Sequence, residues 1–529
     1  MKWLLLGWQR LGLALPILFW AAIPCAAQLT TAQYGNARTG ADTSETILTP
    51  QNVNAQQFGK VFSFKVDGDV YAQPLYLPQL EIPGKGKHHV LFVATEHDSV
   101  YAFDGDNNPS SPLWQVSFIS PGNGSTPLAA REVQCPFIRP EVGITPTPVI
   151  DTKTGTLYVL ARTKENGKYF QRLHALDVTT GAEKFGGPQV IQASVQGRKR
   201  RLDFDPLREN PRAALLLANG NIYLTWASSC DVGEYHGWVI AYDAHTLKQT
   251  GVFNTSPDAE ESGIWQSDAG PAADEQGNIY AVTGNGKFDA DSGGRDFGDS
   301  ILKLTQTSQG LIAKDYFTPS DQQKLNANDL DVGSDGPVLL PDQPGPHPHL
   351  LITAGKGGGV YVIDRDHMGG YRAGNNSHAV QVIQLGDSCL GAPAYWNQSV
   401  YIFCSHDVLR QYKVENGRLS TEPVGKGTVQ FTDPGATPTI SASGMKNGIV
   451  WWVATKTWDG SDHFAVLHAD DAANIGHELY TSEENSGRDR AGSALRFVMP
   501  TVVHGRVYIG VKGEVDVYGL LQSPQKSSK

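Results

Sequence analysis

The run LFVATEHDSVYAFD, Leu91–Asp104, reads as two short β-strands around a loop: an apolar stretch, a polar break at Thr95–Asp98, then a second stretch carrying a tyrosine and ending in aspartate. The phrase returns along the chain at Leu157–Asp177, Ile222–Asp243, Ile279–Leu304, Leu350–Asp364, Val400–Lys413, Val450–Asp470 and Val507–Tyr518. Eight β-units at a period of roughly 50 to 70 residues cannot each bury their own apolar faces, so they are expected to stack radially. The chain is therefore read as all-β, an eight-bladed β-propeller of four-stranded antiparallel blades.

A complete unit has an inner strand, two middle strands and an outer strand with an aromatic. In the first unit these are AQPLYL (Ala72–Leu77), HVLFVA (His89–Ala94), SVYAFD (Ser99–Asp104) and LWQVSF (Leu113–Phe118). The last unit supplies FVMPTVV (Phe497–Val503), VYIGV and VDVY, and then the chain nearly ends without an outer strand. FGKVFSFKV (Phe58–Val66) precedes the first complete unit and is expected to take that place, which would remove two sheet edges and close the ring. This divides the chain into a signal segment at 1–27, an N-terminal extension at 28–57, the propeller at 58–520 and a disordered tail at 521–529.

Composition agrees. The 529 residues include 57 glycines and 31 prolines, 40% are hydrophobic and 18% charged, and the net charge is -11. Turns are plentiful, and no basic stripe is present to neutralise phosphates, so a nucleic-acid partner is not expected. The basic cluster Arg198–Arg201 reads as a solvated loop. Lys2 and Arg10, the apolar Leu11–Ala22 and the small residues around Ala27 form a secretory signal, with cleavage expected between Ala27 and Gln28. No later apolar run reaches the length of a membrane span. The protein is thus expected to be exported, periplasmic or extracellular.

Removing the signal leaves Cys135, Cys230, Cys389 and Cys404, an even number for an oxidising compartment. Cys389 and Cys404 could face each other on adjacent strands of one blade, leaving Cys135 with Cys230; the alternative is that some are buried thiols. There is no Cys/His cluster with zinc spacing.

HALDVTTGAEKF (His174–Phe185) resembles the repeat of propellers related to the pyrroloquinoline quinone (PQQ) dependent alcohol dehydrogenases, in which a strand ends in Ala-Leu-Asp, a Thr-Gly turn follows and an aromatic opens the outer strand. Aspartate and threonine can cap such a turn and glycine can take its positive φ. Other stretches resemble the cofactor site of the quinoprotein dehydrogenases. KGGGVYVIDRDHMG (Lys356–Gly369) matches a phrase whose lysine, here Lys356, touches the quinone oxygens. TGNG (Thr283–Gly286) is similar to the loop whose asparagine, here Asn285, offers an amide oxygen to calcium, a suitable hard ligand. DYFTPS (Asp315–Ser320) leading to DLDVGSD (Asp329–Asp335) resembles a segment whose aspartate ligates calcium or acts as general base, so Asp329 and Asp331 are both candidates. In ASSCDVGEYHGWVIAYD (Ala227–Asp243) the family's calcium glutamate falls on Val232, with Asp231 beside it and Glu234 two residues on as possible substitutes. The family's adjacent cysteine pair is represented by Cys135 and Pro136, a cofactor-contacting glutamate falls on Tyr71, and Trp265 is the candidate for the indole floor beneath the quinone.

The resemblance implies an oxidoreductase using PQQ and calcium to oxidise an alcohol or sugar hydroxyl and passing electrons to a separate acceptor, since the chain has no CxxCH haem motif. The competing reading is a secreted propeller that keeps the scaffold and serves as a binding or assembly module for a protein partner. No Ser/His/Asp or paired-carboxylate motif calls for a hydrolase or lyase.

Overall fold

The computed structural model describes residues 27–107, 111–386, 388–431, 434–455 and 463–522. The signal segment up to residue 26 and the tail from 523 lie outside the described residues. Among the described residues eight mainly antiparallel blade sheets follow one another in chain order, with a separate two-stranded ribbon of Ser194–Gln196 and Arg201–Asp203. The first comprises Leu75–Ile82, Gly86–Ala94, Ser99–Asp104 and Trp114–Ser117, the four strands expected for the first unit, each paired to its sequence neighbour. The eighth comprises Thr501–Val503, Arg506–Val511 and Glu514–Leu520, and its outermost strand is Phe58–Lys65, with Phe58 opposite Leu520 and Lys65 opposite Glu514.

The middle strands are buried on both faces because each blade is sandwiched between two others; Ser99–Phe103 and Leu157–Thr163 hold no exposed residue. One apolar cluster joins Phe92 and Val100 of the first blade to Ile150 and Val159 of the second and to Tyr508, Val515 and Val517 of the eighth, so the last blade packs on the first. The recurring tyrosine has a specific task. Tyr158 donates its hydroxyl to the carbonyl of Ala244, Tyr401 to Ala472 and Tyr508 to Gly105, in each case reaching the turn after the third strand of the following blade. A buried tyrosine needs such a partner, and here the need ties blade to blade. The terminal aspartate caps the turn within its own blade. Asp177 accepts from Thr179 N–H at 2.9 Å and from the Thr179 hydroxyl at 2.5 Å, while Gly181 (φ +73°) passes beneath Trp114, where a Cβ would meet the indole at 2.8 Å.

Residues 29–44 touch the innermost strand region of every blade. Leu29 pairs with Tyr76, Thr30 O accepts from Ile150 N–H, Asn36 Nδ2 donates to Leu217 O, and Tyr34 Oη exchanges hydrogen bonds with both backbone groups of Val502. The carbonyls of Asn36, Ala37, Thr39 and Gly40 accept in turn from Ala273, Leu339, Tyr395 and Ile440. Inner strands have no neighbour on the channel side, and this segment satisfies donors they would otherwise leave unpaired. Arg38, fully buried, completes the plug by donating to the carbonyls of Ala32, Leu215 and Pro271 and to the Thr31 hydroxyl. The candidate site lies at the channel's other end, where the inner strands begin.

Candidate functional site

Two kinds of loop open at that end. One follows the second strand of each blade: Cys230 and Asp231 come after Asn221–Ser228 in the third, Asn285 after Ile279–Val282 in the fourth, and Lys356 after Leu350–Ala354 in the fifth. These are equivalent positions in successive blades, which is why residues far apart in sequence converge. The other kind links one blade's outer strand to the next blade's inner strand and brings in Cys135, Trp265, Asp329 and Asp331.

Lys356 Nζ lies 2.5 Å from Asp329 Oδ2 and 3.6 Å from Asp331 Oδ2. Asn285 donates its backbone N–H to Asp331 Oδ1 at 2.9 Å and its Nδ2 to Asp329 Oδ1 at 2.8 Å. Asp331 is the buried member and Asp329 the exposed one. Burial pushes the Asp331 carboxyl up to about 6, with Asp329 and Asp231 adding to the rise and Lys356 and the Asn285 N–H opposing it. Burial works against the charge on Lys356, yet Asp331 and Asp329 outweigh it and hold the ammonium above its ordinary value. Gly284 leaves room for this packing: a Cβ there would fall on Asp331 Oδ1 and reach the Trp265 ring at 2.8 Å.

Asp331, Lys356, Asp231, Trp265 and Cys135 line one cavity of about 150 Å³. Cys135 is bonded to Cys230, so a disulfide forms part of its wall, and Cys389 is bonded to Cys404 within the sixth blade. Asp231 also stands beside the buried hydroxyl of Tyr235, whose ring packs edge-on to Trp265 with centroids 6.2 Å apart. Glu234 is not brought to this group. Cys230, Asp231 and Gly233 all have positive φ, and beyond that turn Glu234 points into a neighbouring polar groove, paired with Arg200 and 3.4 Å from His236.

Sequence reasoning missed two cations. Arg212 and Arg496 also line the cavity, with the Arg212 guanidinium 5.0 Å from the Phe497 ring and that of Arg496 3.9 Å from the Phe137 ring. Burial lowers the Arg212 pKa. Each arginine stands just before an inner strand, Leu216–Ala218 or Thr501–Val503, and that shared position in the repeat was the available signal.

No protein-family model matches the chain, and no curated protein sequence matches it. Solved structures do. The quinohemoprotein alcohol dehydrogenase of Comamonas testosteroni superposes with a TM-score of 0.60 at 14% identity, over 94% of this chain and 82% of that one. A second quinohemoprotein alcohol dehydrogenase, from Pseudomonas putida HK5, gives 0.59 at 15% identity over 95% and 82%. A europium-containing methanol dehydrogenase gives 0.59 at 14% identity over 94% and 99%. The fold is that of the quinoprotein alcohol dehydrogenases.

Within this quinoprotein fold, the donors can be tested against a hard cation. Asn285 Oδ1 is buried without a hydrogen-bond partner, and buried amide oxygens are seldom left so. With Asp329 and Asp331 bonded to the same asparagine, the local set is all oxygen, as calcium prefers. Asp231 does not join Asp329 and Asp331 in a three-carboxylate cluster, and the ammonium of Lys356 already neutralises that pair. A cation taken up by Asn285 Oδ1 and Asp329 would have to displace the Lys356 ammonium from that carboxylate.

Proposed function

We propose that the chain is an exported quinoprotein-like oxidoreductase that binds PQQ and calcium at this end of the channel and oxidises an alcohol or sugar hydroxyl. The observation that carries the reading is the convergence of Trp265, Lys356, Asp331 and the Cys135–Cys230 disulfide, from five separate loops, on one cavity, with the unpartnered Asn285 Oδ1 beside it. A flat polycarboxylate quinone calls for an aromatic face and several cations. Trp265 offers the first, and Lys356, Arg212 and Arg496 the second.

When bound, the quinone would accept hydride, and with it two electrons, from the carbon bearing the hydroxyl. The chain's own contribution is proton and charge management. Asp331, held between its acid and carboxylate forms near neutrality, would take the hydroxyl proton as a general base. Lys356 would keep positive charge where negative charge develops. Asn285 and Asp329 would hold calcium, leaving Asp331 free as the base, and the electrons would pass to a separate carrier. The cavity is smaller than the roughly 300 Å³ or more usual for organic ligands. Admission of a tricyclic quinone is therefore expected to displace the wall formed by Val133, Cys135, Phe137 and Ile138.

Export is supported by two disulfides, which persist in oxidising compartments. Among the described residues no helix is long and apolar enough to cross a membrane. The reading is tested by titrating chelator-treated protein with PQQ, with and without calcium, and following tryptophan fluorescence. Saturable, calcium-dependent quenching is expected, lost in an Asn285→Ala, Lys356→Ala double variant. Absence of binding at micromolar quinone would leave the scaffold as a partner-binding module, and retained binding in the double variant would place the site elsewhere.

A further inference from the structure

On the far side of the ring, at the junction of the eighth and first blades, His89, Asp106 and His504 bring one ligand atom each to within 4.8 Å of one another. His89 lies on the second strand of the first blade and Asp106 just after its third strand. His504 occupies the turn between the inner and second strands of the eighth blade, with φ +52°. His89 Nε2 is 3.9 Å from Asp106 Oδ2, and the two imidazoles stand 4.5 Å apart at 15°. None of the three contributes to the candidate catalytic cavity, and no sequence spacing connects them.

We propose that these residues form a site for a divalent first-row transition ion of the zinc class, bridging the last blade to the first. Two imidazoles and one carboxylate, with a fourth position left to solvent, are an accepted zinc donor set, whereas calcium and magnesium require more oxygens. Ligand bonds of about 2.0–2.2 Å in a tetrahedron place donor atoms roughly 3.3 Å apart, so the present spacing closes by small side-chain rotations.

The surroundings prepare His89 for this role. Tyr76 Oη, on a fully buried residue, lies 2.8 Å from His89 Nδ1, and Gln79 Nε2 lies 2.7 Å from His89 Nε2. With Gln79 donating through its amide nitrogen, Nε2 accepts and Nδ1 directs its proton at the tyrosine oxygen, so an ion at Nε2 would take the place of Gln79. That is the tautomer and outer-shell support that a metal-binding histidine uses. The backbone holding Asp106 is fixed from both blades: Gly105 N–H donates to His89 O at 2.7 Å, and Gly105 O accepts from Tyr508 Oη of the eighth blade at 3.1 Å. An ion bound here would join the two ends of the chain's ring, beside the strand pairing that already does so.

The test is isothermal titration of the chelator-treated mature chain with zinc chloride, paired with thermal unfolding. One zinc per chain at micromolar concentration and a raised unfolding midpoint are expected. His504→Ala, an exposed position, should weaken zinc binding at least about tenfold and remove the midpoint shift while leaving the metal-free midpoint unchanged, and His89→Ala should do the same to binding. Gln79→Ala, which frees Nε2, should not weaken it. No binding at micromolar zinc, or affinity unchanged in His504→Ala, overturns the proposal. Quinone binding is read separately, so the two assignments fail independently.

Discussion

Lys356 holds Asp331 twice: its ammonium lies 3.6 Å from Oδ2, and its backbone N–H donates to the Asp331 carbonyl at 2.8 Å. The backbone bond fixes distance and the ammonium sets charge, so the lysine governs when this buried carboxyl ionises. Asp331 titrates at about 6, and a reaction that needs it as a base should rise in kcat/KM as pH passes through that value. Lys356→Met removes the charge that lowers this pKa and should move the rise to higher pH. Asp329→Asn removes one that raises it and should move the rise lower. pH profiles with an artificial electron acceptor check both shifts, and identical profiles in the two variants would remove Asp331 from the role of base. The linkage to folding has a defined sign. A carboxyl raised in the folded state contributes stability below its unfolded value of about 3.9, and that contribution is lost as pH rises through about 6.

Gly284 tests the site without removing a functional group. Gly284→Ala would drive a methyl into Asp331 Oδ1 and the Trp265 ring, and relief requires one of them to move. Overpacking of this kind costs about 1–3 kcal/mol, too little to unfold a large propeller. Expected is a fold unchanged by circular dichroism with quinone affinity reduced by about tenfold or more, equivalent to about 1.4 kcal/mol. Unaltered titration curves would show that the ligand does not sit against this pair.

The blades were legible because their residues act locally or at a fixed repeat offset. Asp177 caps its own turn, Tyr158 and Tyr508 bond the next blade, and Phe58–Lys65 has the apolar pattern of the missing outer strand. Asn285 and Lys356 fall in equivalent loops of successive blades, and the structure joins both by hydrogen bonds or ion pairs to Asp329 and Asp331, which enter on the other kind of loop. Glu234 illustrates the limit. Its distance from Asp231 along the chain is small, but the turn at Cys230–Gly233 reverses the backbone, and only Asp231 faces the cavity. The segment 29–44 carried no readable pattern because it binds mainly through carbonyls, which every residue possesses. Arg212 and Arg496 left only the trace of their shared position before an inner strand, because a buried cation looks like any surface arginine until its surroundings are known.

The Cys135–Cys230 disulfide should matter to both stability and ligand entry. It closes a separation of 95 residues, against 15 for Cys389–Cys404. In the chain-entropy account the longer loop contributes about 4.7 kcal/mol and the shorter about 3 kcal/mol. Cys135→Ser with Cys230→Ser should therefore lower the unfolding midpoint more than Cys389→Ser with Cys404→Ser. The first pair should also speed quinone association, because Cys135 tethers the wall that has to withdraw. Stopped-flow quenching measures that rate, and a slower or equal rate would mean the wall is not the gate.

Arg38 provides the sharpest test of the segment 29–44. Its guanidinium is buried and donates to three carbonyls and a hydroxyl rather than to a carboxylate, and burial lowers its pKa to about 9. Four donations to Thr31, Ala32, Leu215 and Pro271 hold it there, and Arg38→Ala leaves those oxygens without their donor. Hydrogen bonds to a charged group contribute about 1.5–3 kcal/mol each and are not additive, so a loss of at least about 3 kcal/mol is expected. Arg38→Lys should recover little, because a compact ammonium cannot span acceptors that the planar fork reaches from several sides. Deleting residues 28–45 should be more severe, since backbone donors on the inner strands of six blades lose their acceptors together. Denaturant unfolding by tryptophan fluorescence checks all three variants. A deletion as stable as the intact chain would mean that water replaces the segment at no cost, and that the ring stands without its plug.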